Sequence, residues 1–164
     1  MSRPGRKSKA MDLKGSDKVH IKASPERVYE LLSDVTRMGE WSPECYRCRW
    51  LGGARGPVAG ARLKGYNRRG WMRWWTTCTV TEAEPGRAFA FETHSVPFKG
   101  MQTRWWYQME PSEGGTLLTE SFQVLWHFRI VIRLAFGGSR RRQAQMEEGV
   151  RRTLDRIKAI AEGV

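Results

Sequence analysis

Apolar and polar positions follow two periods along this chain. Val19, Ile21 and Ala23 alternate with His20 and Lys22, the period of two expected of a half-buried strand. Ser24-Pro25-Glu26-Arg27 follows, with a capping serine, a proline for the first helical position and an acid in the first turn. The spacing of Val28, Leu31, Leu32 and Val35 then predicts a short amphipathic helix that ends between Asp34 and Arg37, before a turn with Gly39 and Pro43. The period of two returns over 46–51, 61–68, 71–82, 87–94, 102–110 and 116–125. Gly52-Gly53, Gly56-Pro57, Arg69-Gly70, Pro85-Gly86 and Gly114-Gly115 separate these runs, which predicts an antiparallel meander. Beyond Gly137-Gly138-Ser139, with Ser139 the expected N-cap, Met146, Val150, Leu154, Ile157 and Ala161 recur at helical spacing on one stripe. The order strand, helix, six strands, long helix reads as one α+β domain over 17–164, preceded by a basic flexible tail over 1–16.

Composition adds to this picture. A length of 164 residues suffices for one core without disulfide or metal staples, and eight tryptophans within a 40% hydrophobic chain argue against disorder. The formal net charge of +12 draws the protein towards polyanions, and the excess lies mainly at the two ends. Cys45, Cys48 and Cys78 lack the further ligands of a zinc site, and the Cys45-Tyr46-Arg47-Cys48 spacing falls in a strand rather than at a helix N-terminus, so three free thiols are expected. The basic N-terminus has no apolar segment behind it, and the apolar run 124–136, broken by His127, Arg129 and Arg133, is too short to span a bilayer. These features point to a cytoplasmic protein.

The helix start Ser24-Pro25-Glu26-Arg27-Val28-Tyr29, the turn Trp41-Ser42-Pro43-Glu44, Gly60-Ala61-Arg62, Asn67-Arg68-Arg69-Gly70, the Trp74-to-Val80 strand leading into Glu84-Pro85-Gly86-Arg87, Trp105-Trp106-Tyr107 and the Gly115-to-Glu120 strand carry a resemblance. Together they resemble the SRPBCC superfamily, and more narrowly its START-like polyketide cyclase/dehydrase and lipid-transport branch. The similarity covers about residues 17–163. It implies a helix-grip fold, a seven-stranded curved antiparallel sheet wrapped around a long C-terminal helix with an apolar cavity between them. It leaves the activity open, because this scaffold serves carriers and cyclases alike.

Strand alternation sorts the sheet residues by face. Leu63, Gly65 and Asn67 fall on the inner side, with Trp74, Thr76 and Cys78 on the next strand. Phe89 and Phe91 follow, then Trp105 and Tyr107, then Leu118, Glu120 and Phe122. With Met146 and Val150 of the last helix, the expected ligand-binding set is Trp74, Thr76, Cys78, Phe89, Phe91, Trp105, Tyr107, Phe122, Met146 and Val150. This is an apolar lining with few polar groups, the composition of a small-molecule pocket; the same residues would equally form a closed core. Glu120, flanked by Leu118 and Phe122, is the candidate acid–base group, with Tyr107 or Asn67 to hold a carbonyl oxygen. Pairing with an arginine, or a bulge that turns it outward, would instead make Glu120 structural. His20, His94 and His127 are scattered, no nucleotide or hydrolase motif is present, and neither a cofactor nor a metal is expected.

Three functional readings remain: a carrier of a hydrophobic small molecule, lipid or polyketide-like; a polyketide cyclase/dehydratase using the same cavity; and a basic membrane or nucleic-acid adaptor. Arg140-Arg141-Arg142, with Trp126, Phe128, Ile130, Ile132 and Phe136 before it, suggests transient contact with an anionic membrane. Nucleic acid has weaker support, from the outward-facing Trp75 and Trp106. No obligate protein partner is implied.

Overall fold

Seven strands form one antiparallel sheet in the computed structural model, which describes residues 13–96, 101–127 and 129–164. In chain order these are β1 (Lys14–Ile21), α1 (Pro25–Ser33), a short 3-10 helix (Val35–Glu40), β2 (Cys45–Leu51), β3 (Arg62–Arg69), β4 (Met72–Glu84), β5 (Ala88–Val96), β6 (Met101–Ser112), β7 (Gly115–His127), α2 (Arg129–Phe136) and α3 (Ser139–Glu162). The strand order is β1-β7-β6-β5-β4-β3-β2, so the meander closes back on its first strand and β2 forms the far edge. The long C-terminal helix packs against β1, β7 and α1. This is the helix-grip arrangement, a curved sheet holding a helix.

Local chemistry sets each element. Ser24 caps α1, its Oγ accepting from the backbone N–H of Arg27 at 3.2 Å, and Pro25 opens the first turn. Along α3, Met146, Val150, Leu154 and Ile157 are all at most 3% exposed. Each such side chain contributes about 1.5–3 kcal/mol through burial. Ala161 is only partly buried against this core.

Three boundaries differ from the sequence pattern. Strand β1 begins at Lys14 rather than about Asp17, because Leu13 is fully buried and its carbonyl accepts from the Val124 amide at 2.7 Å, extending the pairing with β7. Residues 1–12 lie outside the described part. The apolar run after β7 forms a helix of its own, α2, which the expected order of strand, helix, six strands and long helix does not contain. Ser139 is not the cap of α3: Gly138, at φ 105°, holds that position with no side-chain bond, and Ser139 is the first helical residue.

Candidate functional site

The inner faces of β3 to β7 meet α3 and the turn after the 3-10 helix around a cavity of about 120 Å³. Pockets for drug-sized molecules measure roughly 300–1,000 Å³, so a ligand of that size requires this space to open. The sheet supplies most of the lining by alternation, and Gly65 keeps the floor low: a Cβ there would lie 3.1 Å from the Thr76 hydroxyl.

All three proposed chemical residues, Glu120, Tyr107 and Asn67, line this cavity. So do Trp74, Thr76, Cys78, Phe91, Trp105 and Met146. Three expected ligand-binding residues do not. Phe89 is fully buried between Tyr29 of α1 and Phe91, with ring centroids at 6.5 and 5.8 Å. Phe122 packs on Trp105 at 5.4 Å and under Gly15 of β1, where an added Cβ would meet its ring at 2.7 Å. Val150 is buried beside Ser16 and Asp17 of β1, away from the cavity. Phe89 and Phe122 face inward as the alternation requires, and Val150 as the helical stripe requires, but α1 or β1 fills the space before each.

Glu120 and Tyr107 sit directly opposite each other on β7 and β6. The phenol O–H donates to Glu120 Oε1 at 2.9 Å, and Glu120 Oε2, buried, finds no partner among the described residues. Burial pushes the Glu120 carboxyl up to about 8, against a smaller opposing effect of the Tyr107 hydrogen bond. Burial, the Glu120 charge and their hydrogen bond raise the phenol well above its ordinary value. At neutral pH the pair is therefore mostly uncharged, with Oε2 able to carry a proton. Elsewhere in the lining, Thr93 donates to the Thr103 carbonyl at 3.3 Å, while Thr103 Oγ1 is buried and unpartnered among the described residues.

Asn67 lies on β3, four strand spacings from Glu120, about 19 Å along the curved sheet. Its amide donates to Thr76 Oγ1 at 3.4 Å. Thus Asn67 belongs to a different part of the wall from the carboxyl–phenol pair.

A second polar cluster was not anticipated from the sequence. Arg142 of α3, its side chain 4% exposed, donates through two nitrogens to Glu44 at 2.7 and 3.1 Å, and Arg69 donates to the same carboxylate at 3.0 Å. The Arg142 guanidinium stacks 4.2 Å from the centre of the Phe136 ring, which meets Trp74 edge-on at 6.1 Å. Burial alone would raise the Glu44 carboxyl, but Arg142 and Arg69 outweigh it and hold it below the usual range. The Arg140-Arg141-Arg142 run is thereby split: Arg140 and Arg141 are exposed, whereas Arg142 turns inward and already has its anion. Two signals were available. Arg142 extends the apolar stripe one helical step before Met146, and Glu44 is the last acid before a stretch, 45–81, that holds none.

The apolar lip before α3 also differs from the expectation. Ile132 is fully buried and Phe136 packs inward, leaving Ile130 and Leu134 exposed. The Trp126 side chain and Phe128 lie outside the described residues. The thiols of Cys45, Cys48 and Cys78 are buried; a bulge between Cys45 and Arg47 turns the first two to the same face. Burial pushes Cys78 up to about 12, so it is not a ready thiolate.

The family model for polyketide cyclase/dehydrase and lipid transport matches residues 12–162. The chain belongs to this family. Within the polyketide cyclase/dehydrase and lipid transport family, membership suggests hydrophobic ligand binding without naming a ligand. The chain is similar to a polyketide-cyclase-like protein from Corynebacterium glutamicum, solved by solution NMR, at 34% identity, with 94% of each chain covered and a TM-score of 0.64. A START superfamily protein from Mycobacterium smegmatis shares the fold at 14% identity, covering 92% of this chain and 97% of that one, with a TM-score of 0.72. So does the di-domain aromatase/cyclase of the steffimycin biosynthetic pathway, at 14% identity and a TM-score of 0.73, where 93% of this chain matches 51% of the larger one. Among curated proteins none matches. No helix among the described residues is long and apolar enough to cross a membrane.

Proposed function

We propose that this protein binds a hydrophobic small molecule, lipid or polyketide-like, whose carbonyl or hydroxyl oxygen meets the Glu120–Tyr107 pair. The observation that carries this reading is Glu120 Oε2: a buried carboxyl oxygen lining a largely apolar cavity, without a partner among the described residues, on a group whose burial raises its affinity for a proton. An unmade hydrogen bond of this kind costs about 1–3 kcal/mol, which a ligand oxygen accepting from Oε2 would recover. Trp74, Phe91, Trp105 and Met146 supply apolar surface for the rest of the molecule. The raised carboxyl also favours a second reading, cyclisation or dehydration of a polyketide in which Glu120 exchanges a proton with the bound molecule, because its affinity lies within reach of neutral pH.

The test is extraction and identification of compounds carried by the purified protein, followed by titration with a panel of fatty acids, sterols and aromatic polyketides. A bound ligand whose affinity survives Glu120→Gln, which keeps a donor, but falls roughly tenfold in Glu120→Leu, supports the assignment. An empty protein that binds nothing in the panel, or equal affinity in all three forms, overturns it. Turnover of a bound polyketide that Glu120→Gln abolishes selects the second reading.

A further inference from the structure

The β3–β4 hairpin ends in the two-residue turn Gly70-Trp71, with Gly70 at φ 57° and Trp71 93% exposed. A tryptophan held almost wholly in water at a hairpin tip gains nothing from the fold. Trp74, three residues along β4, meets Phe136 of α2 edge-on, so the tip and α2 occupy the same end of the molecule. On α2, Ile130 and Leu134 stand one helical step apart and are 58% and 77% exposed. Three large apolar side chains are thus unburied on the hairpin tip and on α2, two elements joined by the Trp74–Phe136 contact.

The charge around them has one sign. Residues 45–81 contain eight Lys/Arg and no acid, and residues 129–146 contain five Arg and no acid. Arg68, Arg69 and Arg73 flank the tip directly, and Arg133 and Arg140 lie exposed on and after α2. Glu44 neutralises part of this cluster through Arg69 and Arg142, leaving the rest uncompensated by it.

We infer that this end of the molecule docks on an anionic lipid bilayer, with Trp71, Ile130 and Leu134 entering the interface and the surrounding arginines meeting lipid phosphates. Indole side chains settle at the headgroup level, branched aliphatic chains enter the acyl boundary, and basic residues nearby add attraction to anionic leaflets. A nucleic acid fits the same charge less well. Leu134 and Ile130 offer no flat surface to stack on bases, and on the sheet's outer face a cation already lies over one side of each ring: Lys64 over Tyr66 and Trp75 at 5.2 and 5.3 Å, and Arg68 over Tyr46 at 5.4 Å. Trp74, which lines the cavity, stands three residues from the tip, but docking of this kind needs only the surface chemistry and is independent of what the cavity holds.

The test is flotation of the full-length protein with phosphatidylcholine vesicles, with and without an equal part of phosphatidylglycerol, at low and high salt. Expected is salt-sensitive binding to the anionic vesicles, reduced roughly tenfold or more in the Trp71→Ser, Leu134→Ser double variant and largely retained in Trp71→Phe. Trp71 and Leu134 are exposed, so circular dichroism should show an intact fold in each variant. Glu120→Leu should float as the unaltered protein does, which separates this inference from ligand capture. Equal binding to neutral and anionic vesicles, no binding, or an unchanged double variant overturns it. So does loss of single-stranded oligonucleotide binding in Trp71→Ser while vesicle binding is absent.

Discussion

Glu120 and Glu44 line the same cavity, yet their surroundings drive them in opposite directions. Glu120 has a neutral phenol for a neighbour, so burial wins and its carboxyl rises to about 8. Glu44 has two guanidiniums, so the same burial is outweighed and the group stays ionised. The difference teaches that one cavity holds two kinds of polar wall. The charged cluster has its carboxylate matched by two guanidiniums, with only Arg142 Nε left without a partner among the described residues, and reads as a structural tie between α3 and the sheet edge. The neutral pair keeps one oxygen unpartnered and reads as the place where a ligand is met.

The largest effect should come from breaking the charged wall. Glu44→Ala leaves Arg142 buried at 3% exposure without its anion, and should cost about 3–5 kcal/mol in chemical denaturation. Replacing Arg142 with Met at the same time removes the stranded charge and should restore most of that loss. If the double variant is no more stable than Glu44→Ala, the pair is not the tie described here.

The neutral wall should show itself through pH. A solvated glutamate titrates near 4.3, whereas folded Glu120 titrates at about 8. Its stabilising contribution is therefore complete below about pH 4, where both states hold the proton, and declines as pH rises towards 8, because the unfolded chain gives up its proton first. The decline should be on the order of a few kcal/mol. Glu44 acts in the opposite sense: with its affinity lowered, its contribution is present above the unfolded value and is lost as pH falls. Stability measured from acid to mildly alkaline pH should thus lose its falling limb in Glu120→Gln and keep its acid limb. An identical falling limb in Glu120→Gln would assign it to another group.

The neutral wall was legible in the sequence and the charged wall was not, for a physical reason. Glu120, Tyr107 and Thr76 could be placed because strand alternation fixes a face locally, and the β6–β7 register needed only the short Glu113-Gly114 turn. Arg142 and Glu44 are 98 positions apart, and their meeting depends on how α3 lies across the sheet. The same dependence explains Phe89, Phe122 and Val150. Their inward direction was readable, but whether cavity or another side chain lay before them was decided by α1, β1 and α3. The helix α2 was missed because His127, Arg129 and Arg133 broke the apolar run 124–136, obscuring its helical spacing. The fold, carried by turn residues and two clear periods, needed no such long-range knowledge.

The smallest effect tests whether the charged wall is one pair or a network. Arg69 is 38% exposed and makes a single bond to Glu44 at 3.0 Å, whereas Arg142, 4% exposed, makes two. Water can replace what Arg69 gives, so Arg69→Ala should cost at most about 1 kcal/mol, as exposed ion pairs do. Measured in the presence and absence of Glu44→Ala, the Arg69 effect should nearly vanish once its partner is gone. A loss of several kcal/mol from Arg69→Ala alone would mean that both arginines are needed to keep Glu44 ionised. The contrast with Glu120 would then rest on a three-residue balance, and removing one exposed arginine would move Glu44 towards the neutral state that Glu120 already occupies.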